Sequence, residues 1–242
     1  MPEALFWGFA AASALLAGAG LAMVRPWSRR AIGLVTGFGV GALISAVTLD
    51  LTVAAFEAAG AVVVVAGLVA GAIVYSTGNW LLHRGGVVRH RKRSGGQQAG
   101  SDPLGIVLGT ILDGIPESIV IGITVVVGGA VGVPFLAAVA ISNVPEAVSA
   151  TTGLLRIGWS RARILRMWTT VVLLSAASAG VGYAIAASAP AELTATLGAF
   201  AAGAVLTMLA DTMMPEAFEE AGTAVGFATV MGYAVGALLV LA

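Results

Sequence analysis

The sequence predicts an all-α polytopic membrane protein of eight transmembrane helices, and three observations carry that expectation. The first is composition. Of 242 residues, 59% are hydrophobic and 10% charged, with a mean hydropathy of +1.00. A soluble domain has about a quarter of its residues charged, so this set cannot clothe a water-exposed surface. The second is span length. Scanning for the roughly 20 apolar residues that cross a bilayer as a helix gives Leu5 to Val24, Ala31 to Leu51, Ala61 to Leu82, Leu104 to Val127, Val131 to Leu155, Leu165 to Ala187, Leu193 to Met214 and Thr223 to Leu241. The third is where the basic residues fall. Arg25, Arg29 and Arg30 follow the first span; Arg84, Arg89, Arg91, Lys92 and Arg93 follow the third; Arg156, Arg161, Arg163 and Arg166 follow the fifth. These are all the cations of the chain, on one side. The alternate connections, around Glu57, Gly128 to Gly132 and Pro190 to Glu192, carry none. The positive-inside rule makes the basic side cytoplasmic, so both termini lie outside a multi-pass protein of the cell membrane.

Each span has its own signature. The first follows Met1-Pro2-Glu3, with no basic segment of a secretory signal, and reads as retained. In the second, Gly33, Gly37, Gly41 and Ser45 recur every four residues, which predicts a close-packing helix seam. The connection His83 to Pro103 is Gly-rich and basic; its His83 and His90 read as part of a solvated loop, with metal sampling as the sharper alternative. The absence of cysteine removes disulfides, thiolate metal sites and thiol catalysis. Zero net charge argues against a nucleic-acid partner.

Internal repeats organise the chain. Gly41-Ala42, Ala55-Phe56-Glu57 and Ala59-Gly60 align without gaps on Gly203-Ala204, Ala217-Phe218-Glu219 and Ala221-Gly222. Spans two and seven therefore repeat, and an odd separation means opposite directions, the mark of an inverted repeat. Asp113-Gly114-Ile115-Pro116-Glu117-Ser118 in span four is matched by Ser142-Asn143-Val144-Pro145-Glu146-Ala147 in span five. The expected division is a 3+2+3 bundle in one transport domain: residues 1–82, a cytoplasmic loop 83–103, a central pair 104–155, and an inverted repeat 156–242.

The central pair carries the candidate site. Asp113 and Glu117 share a helix face, as do Ser142 and Glu146, with Asn143 at its edge. Both motifs fall near the middle of a hydrocarbon core about 30 Å thick. A carboxylate there costs at least about 2.5 kcal/mol, and apart from Arg166 at the start of the sixth span no Lys, Arg or His lies within a span to pair with it. Pro116 and Pro145 each remove a backbone N–H and free the carbonyls of Leu112 and Ile141, so each kink is also a candidate hinge. An all-oxygen set of Asp113, Glu117, Ser142, Asn143 and Glu146 suits a hard or borderline divalent cation. Asp50 and Asp211, at corresponding ends of spans two and seven, read equally as relay points or as partners of nearby threonines. Glu216, Glu219 and Glu220 read first as a solvated helix end, with an acidic vestibule as the alternative.

These motifs resemble those of the ZIP (Zrt/Irt-like) family of divalent metal transporters. The resemblance covers most of the chain. The first motif is similar to the family's His-Asn-x-Pro-Glu-Gly, with Asp113 and Gly114 replacing His and Asn. The second retains Glu146, and Asp211-Thr212-Met213-Met214-Pro215-Glu216-Ala217 is similar to the family's acidic-x-Met-x-Pro-Glu-Ala stretch. The resemblance implies a transporter and not an enzyme, moving Zn first, or Fe or Mn, toward the cytosol, with no organic cofactor and with a homodimer as the family's assembly. It puts Asp113, Glu117, Ser142 and Glu146 on one metal position and Asn143 with both glutamates on a second. Competing readings are a proton-linked carrier of an organic solute and an intramembrane aspartyl protease, though Asp113 lacks the Gly-x-Gly-Asp signature of the latter.

Overall fold

The computed structural model describes residues 1–84, 103–127 and 132–241. Helices α1 (Pro2–Val24) and α2 (Arg29–Ser45) are followed by a π-helical turn (Ala46–Thr52) and α3 (Val53–Arg84). After α4 (Pro103–Val127), α5 (Val133–Arg156) and α6 (Arg161–Ser188), helix α7 (Ala191–Met208) enters a second π-helical turn (Leu209–Met213). The chain ends with α8 (Met214–Ala221) and α9 (Ala224–Leu241). No strand occurs among the described residues. The connection from 85 to 102, with His90, Arg89, Arg91, Lys92 and Arg93, lies outside the described residues, as do the turn 128–131 and the side chain of His83.

Among the described residues, seven stretches are long and apolar enough to cross a membrane. The expected second and third spans merge in one of them, Arg29–Leu81, which holds 53 residues. A straight helix of that length would reach about 80 Å, far beyond a bilayer core of about 30 Å. Gly60, at φ 77° and ψ 170°, breaks it without any intervening loop. Gly222, at φ 64°, ends α8 in the same way. A side chain is strained at both positions.

Local chemistry sets the other boundaries. Ser28 caps α2 by accepting the Ala31 N–H, and Ser160 caps α6 by accepting that of Arg163. Pro2, Pro134 and Pro215 occupy first-turn positions, where the missing N–H costs no helical bond.

Packing relies on glycine. A Cβ at Gly41 would stand 1.9 Å from the Thr229 carbonyl oxygen on α9, and one at Gly203 would stand 2.0 Å from that of Leu68 on α3. The reciprocal pair is Gly71 against the Phe200 carbonyl and Gly232 against that of Phe38. The α2–α9 and α3–α7 contacts are thus built from the same elements in exchanged roles. The expected seam is borne out: Gly33 meets α8, Gly37 and Gly41 meet α9, and Ser45 lies against Gly236. Large apolar side chains such as Val62 and Ile73 on α3, and Phe227 and Leu238 on α9, stay exposed. Such a periphery suits lipid rather than water, while most of the buried polar side chains belong to α4 and α5.

The ends differ in charge. Arg25 and Arg156 line one cavity, and Arg29 reaches Glu220 at the same end. At the opposite end Ala58, Gly132 and Ala189, from the three arginine-free connections, line another cavity.

Candidate functional site

Asp113 and Glu117 on α4 are 1% and 3% exposed; Ser142, Asn143 and Glu146 on α5 are 0%, 5% and 7%. Five polar side chains are therefore inside, in helices whose other faces are Val, Ile and Ala. Pro116 and Pro145 both lie within their helices, which leaves the Leu112 and Ile141 carbonyls without their usual donors. A buried carbonyl without a donor is an acceptor available to a cation or water.

Two of the five are held by other helices. Tyr75 on α3 donates its hydroxyl to Asp113 Oδ1 at 2.9 Å. The Asn143 amide nitrogen donates to the Ala11 carbonyl on α1 at 3.2 Å, leaving its oxygen as an acceptor. Ser142 donates to the Val139 carbonyl of its own helix at 2.9 Å. Tyr75 is absent from the sequence-derived set. Its signal was a phenol within an apolar run, since a buried tyrosine hydroxyl seeks a partner.

Burial is not convergence. Among the described residues, no three His, Cys, Asp or Glu side chains come together in a group that could hold a metal. The reason is packing: α4 and α5 touch each other sparsely, because α4 leans on α6 and α5 leans on α1. The two Pro-Glu motifs are thus delivered to the interior from different neighbours.

The carboxylates at the basic end are arranged differently from expectation. Glu146, Glu216 and Glu220, with Thr36 and Ser149, line a cavity of about 20 Å³, room for about one water. The Glu220 side chain is 4% exposed, and its Oε2 accepts from Arg29 Nε at 3.1 Å. Glu216 and Glu220 are therefore not a solvated helix end, although Glu219 is exposed. Gly33 is the physical reason: a Cβ there would sit 2.7 Å from Glu220 Cβ and 2.8 Å from the Ala217 carbonyl, so only glycine lets α8 lie this close to α2.

At the other end a cavity of about 500 Å³ is lined by many alanines and bordered by Asp50, Thr124 and Thr194. Asp50 belongs to the first π-helical turn, a distortion frequent at functional sites. The Thr48 and Thr52 hydroxyls donate to the carbonyls of Ile44 and Val47, so they are not the donors for Asp50. A Cβ on Gly132 would come within 3.1 Å of Asp50 Oδ2. Asp211, in the second π-helical turn, is exposed and lines neither of these cavities, and Thr207 donates to Gly203. The structure thus treats the two aspartates unequally.

No protein-family profile matches the chain, and no curated protein is significantly similar to it in sequence.

Proposed function

We propose that the chain is a divergent ZIP-like transporter that moves a divalent cation, Zn, Fe or Mn, across the cell membrane toward the cytosol. Its eight spans form a 3+2+3 inverted-repeat bundle, counted by dividing Arg29–Leu81 at Gly60. Support for the repeat comes from the mirrored π-helical turns, the mirrored positive-φ glycines and the exchanged glycine contacts. The basic end is cytoplasmic, so both termini are extracytoplasmic.

The observation that carries the reading is the set of carboxyl side chains buried in the interior. Asp113, Glu117 and Glu146 are each at most 7% exposed, and the described arginines lie near helix ends. Their oxygens are of the kind a divalent cation arriving from solution accepts as ligands. The ligand set is Asp113, Glu117, Ser142, Asn143 and Glu146. Because the two motifs stand on different neighbours, binding draws α4 and α5 together, and the kinks at Pro116 and Pro145 are the hinges that allow it. Alternation then moves the three-helix repeats against the central pair.

A second reading is favoured by the cavity beside Asp50. Its volume of about 500 Å³ and alanine-rich walls suit an organic solute better than a bare ion, since small-molecule sites span roughly 300–1,000 Å³ and are mostly apolar. A proton-linked carrier would use the same carboxylates as proton sites.

Uptake into proteoliposomes separates the two. Saturable entry of Zn, Mn or Fe, reduced about 100-fold or more by Glu117→Gln or Glu146→Gln, is expected, since even a partner outside the ligand shell is worth about 10- to 100-fold. Metal flux unchanged in both variants would falsify the site assignment. Proton-coupled solute uptake without metal flux would establish the alternative.

A further inference from the structure

We propose that the cavity between the α1–α2 turn and the end of α5 binds the phosphate headgroup of an anionic phospholipid. It measures about 380 Å³ and is bordered by Arg25, Pro26 and Trp27 of the turn and by Thr152, Leu155 and Arg156 of α5. Two guanidinium groups thus border one concavity from separate elements. Neither forms an ion pair among the described residues, whereas Arg29 bridges to Glu220. The volume is within the usual range for a small-molecule site.

A third feature points to an acceptor. The indole nitrogen of Trp27 is buried and has no hydrogen-bond partner, an arrangement that is costly for a lone buried donor. A phosphate oxygen taken up beside it would supply the missing acceptor after a small shift of the ring. Two fixed positive charges and an unused donor together describe an oxyanion, and guanidinium groups suit phosphate in particular.

The walls distinguish a lipid from free phosphate. Met23 and Val24 close α1 at this cavity, with Val24 86% exposed, and Leu155 completes an apolar side continuous with the helix periphery. A headgroup in the cavity leaves its acyl chains along that surface. A free ion would leave it bare. Basic pockets between helices on the cytoplasmic side are suited to acidic lipids, which concentrate in that leaflet. This assignment depends on the membrane reading but not on the identity of the cargo.

The test is native mass spectrometry of the purified chain with added phosphatidylglycerol or phosphatidylcholine, a measurement that needs no transport. Phosphatidylglycerol is expected to be retained preferentially. The double variant Arg25→Gln/Arg156→Gln should weaken that retention about 10- to 30-fold. Arg25→Lys/Arg156→Lys, which keeps the charges, should preserve the preference, and so should Arg161→Gln/Arg166→Gln, which removes charge from the same end away from the cavity. Equal retention of both lipids, or equal losses in the two Gln pairs, would overturn the site. Displacement by millimolar inorganic phosphate would reassign it to a free anion.

Discussion

The two cavities on either side of the central carboxylates invite comparison, because similar backbones surround them. Each adjoins a π-helical turn, and the helical segment after each turn ends at a glycine of positive φ. Yet the cavity beside Asp50 holds about 500 Å³, and the one beside Glu146 about 20 Å³. After the first π turn, Val53–Gly60 carries an exposed Glu57; after the second, α8 carries Glu216 and Glu220 into the interior. Gly33 and Arg29 make that difference, one by letting α8 approach and the other by neutralising Glu220. The repeat sets where the chain bends, while single side chains decide which end is shut.

Accessibility gives the sharpest contrast, and the cysteine-free chain makes it measurable. Ala54→Cys borders the larger cavity and Ser149→Cys the smaller. A water-soluble thiol reagent should label the first at least about 10-fold faster, the ratio produced by a barrier difference of roughly 1.4 kcal/mol. Adding Arg29→Gln should raise the Ser149→Cys rate toward the other. Equal rates in the parent protein would remove the asymmetry.

Thermal stability tests the shared backbone. Gly41→Ala and Gly203→Ala each push a Cβ onto a carbonyl of the opposing helix, at 1.9 Å and 2.0 Å in the present packing. Both should destabilise by about 1–3 kcal/mol, and to a similar degree. A large effect at one and none at the other would break the equivalence of the two helix pairs.

Tyr75→Phe makes the smallest change. It deletes the hydroxyl that donates to Asp113, leaves the ring in place, and should cost about 1 kcal/mol in a melting measurement. Because Tyr75 serves the centre and borders neither cavity, labelling at Ala54→Cys and Ser149→Cys should be unchanged. A shift at either would show that the centre and the ends are coupled through α3.

Much of this was legible from residue order. Apolar runs marked the helices, the seam of Gly33, Gly37, Gly41 and Ser45 marked a packed face, and the Pro-Glu motifs marked polar groups inside. Merging of the second and third expected spans was not legible, because a single Gly60 does the work of a loop and leaves no polar segment. The inward turn of Glu216 and Glu220 was also hidden. Glutamates at a helix end usually face water, and only Gly33, far away in sequence, makes room for them. Tyr75 was missed for the same reason, since its partner Asp113 comes from another helix.

Composition and spacing by themselves determined that the chain is helical, that its surface is apolar, that its cations follow alternate apolar runs and that carboxylates enter its interior. Each is a property of hydrophobic transfer and helical period, which act on local sequence. Tertiary structure alone decided which acids share a cavity, which acid meets an arginine, and that Asp113, Glu117 and Glu146 are buried without being gathered. Those outcomes depend on how closely helices approach, and the approach is set by pairs such as Gly41 with Thr229 that no local pattern connects.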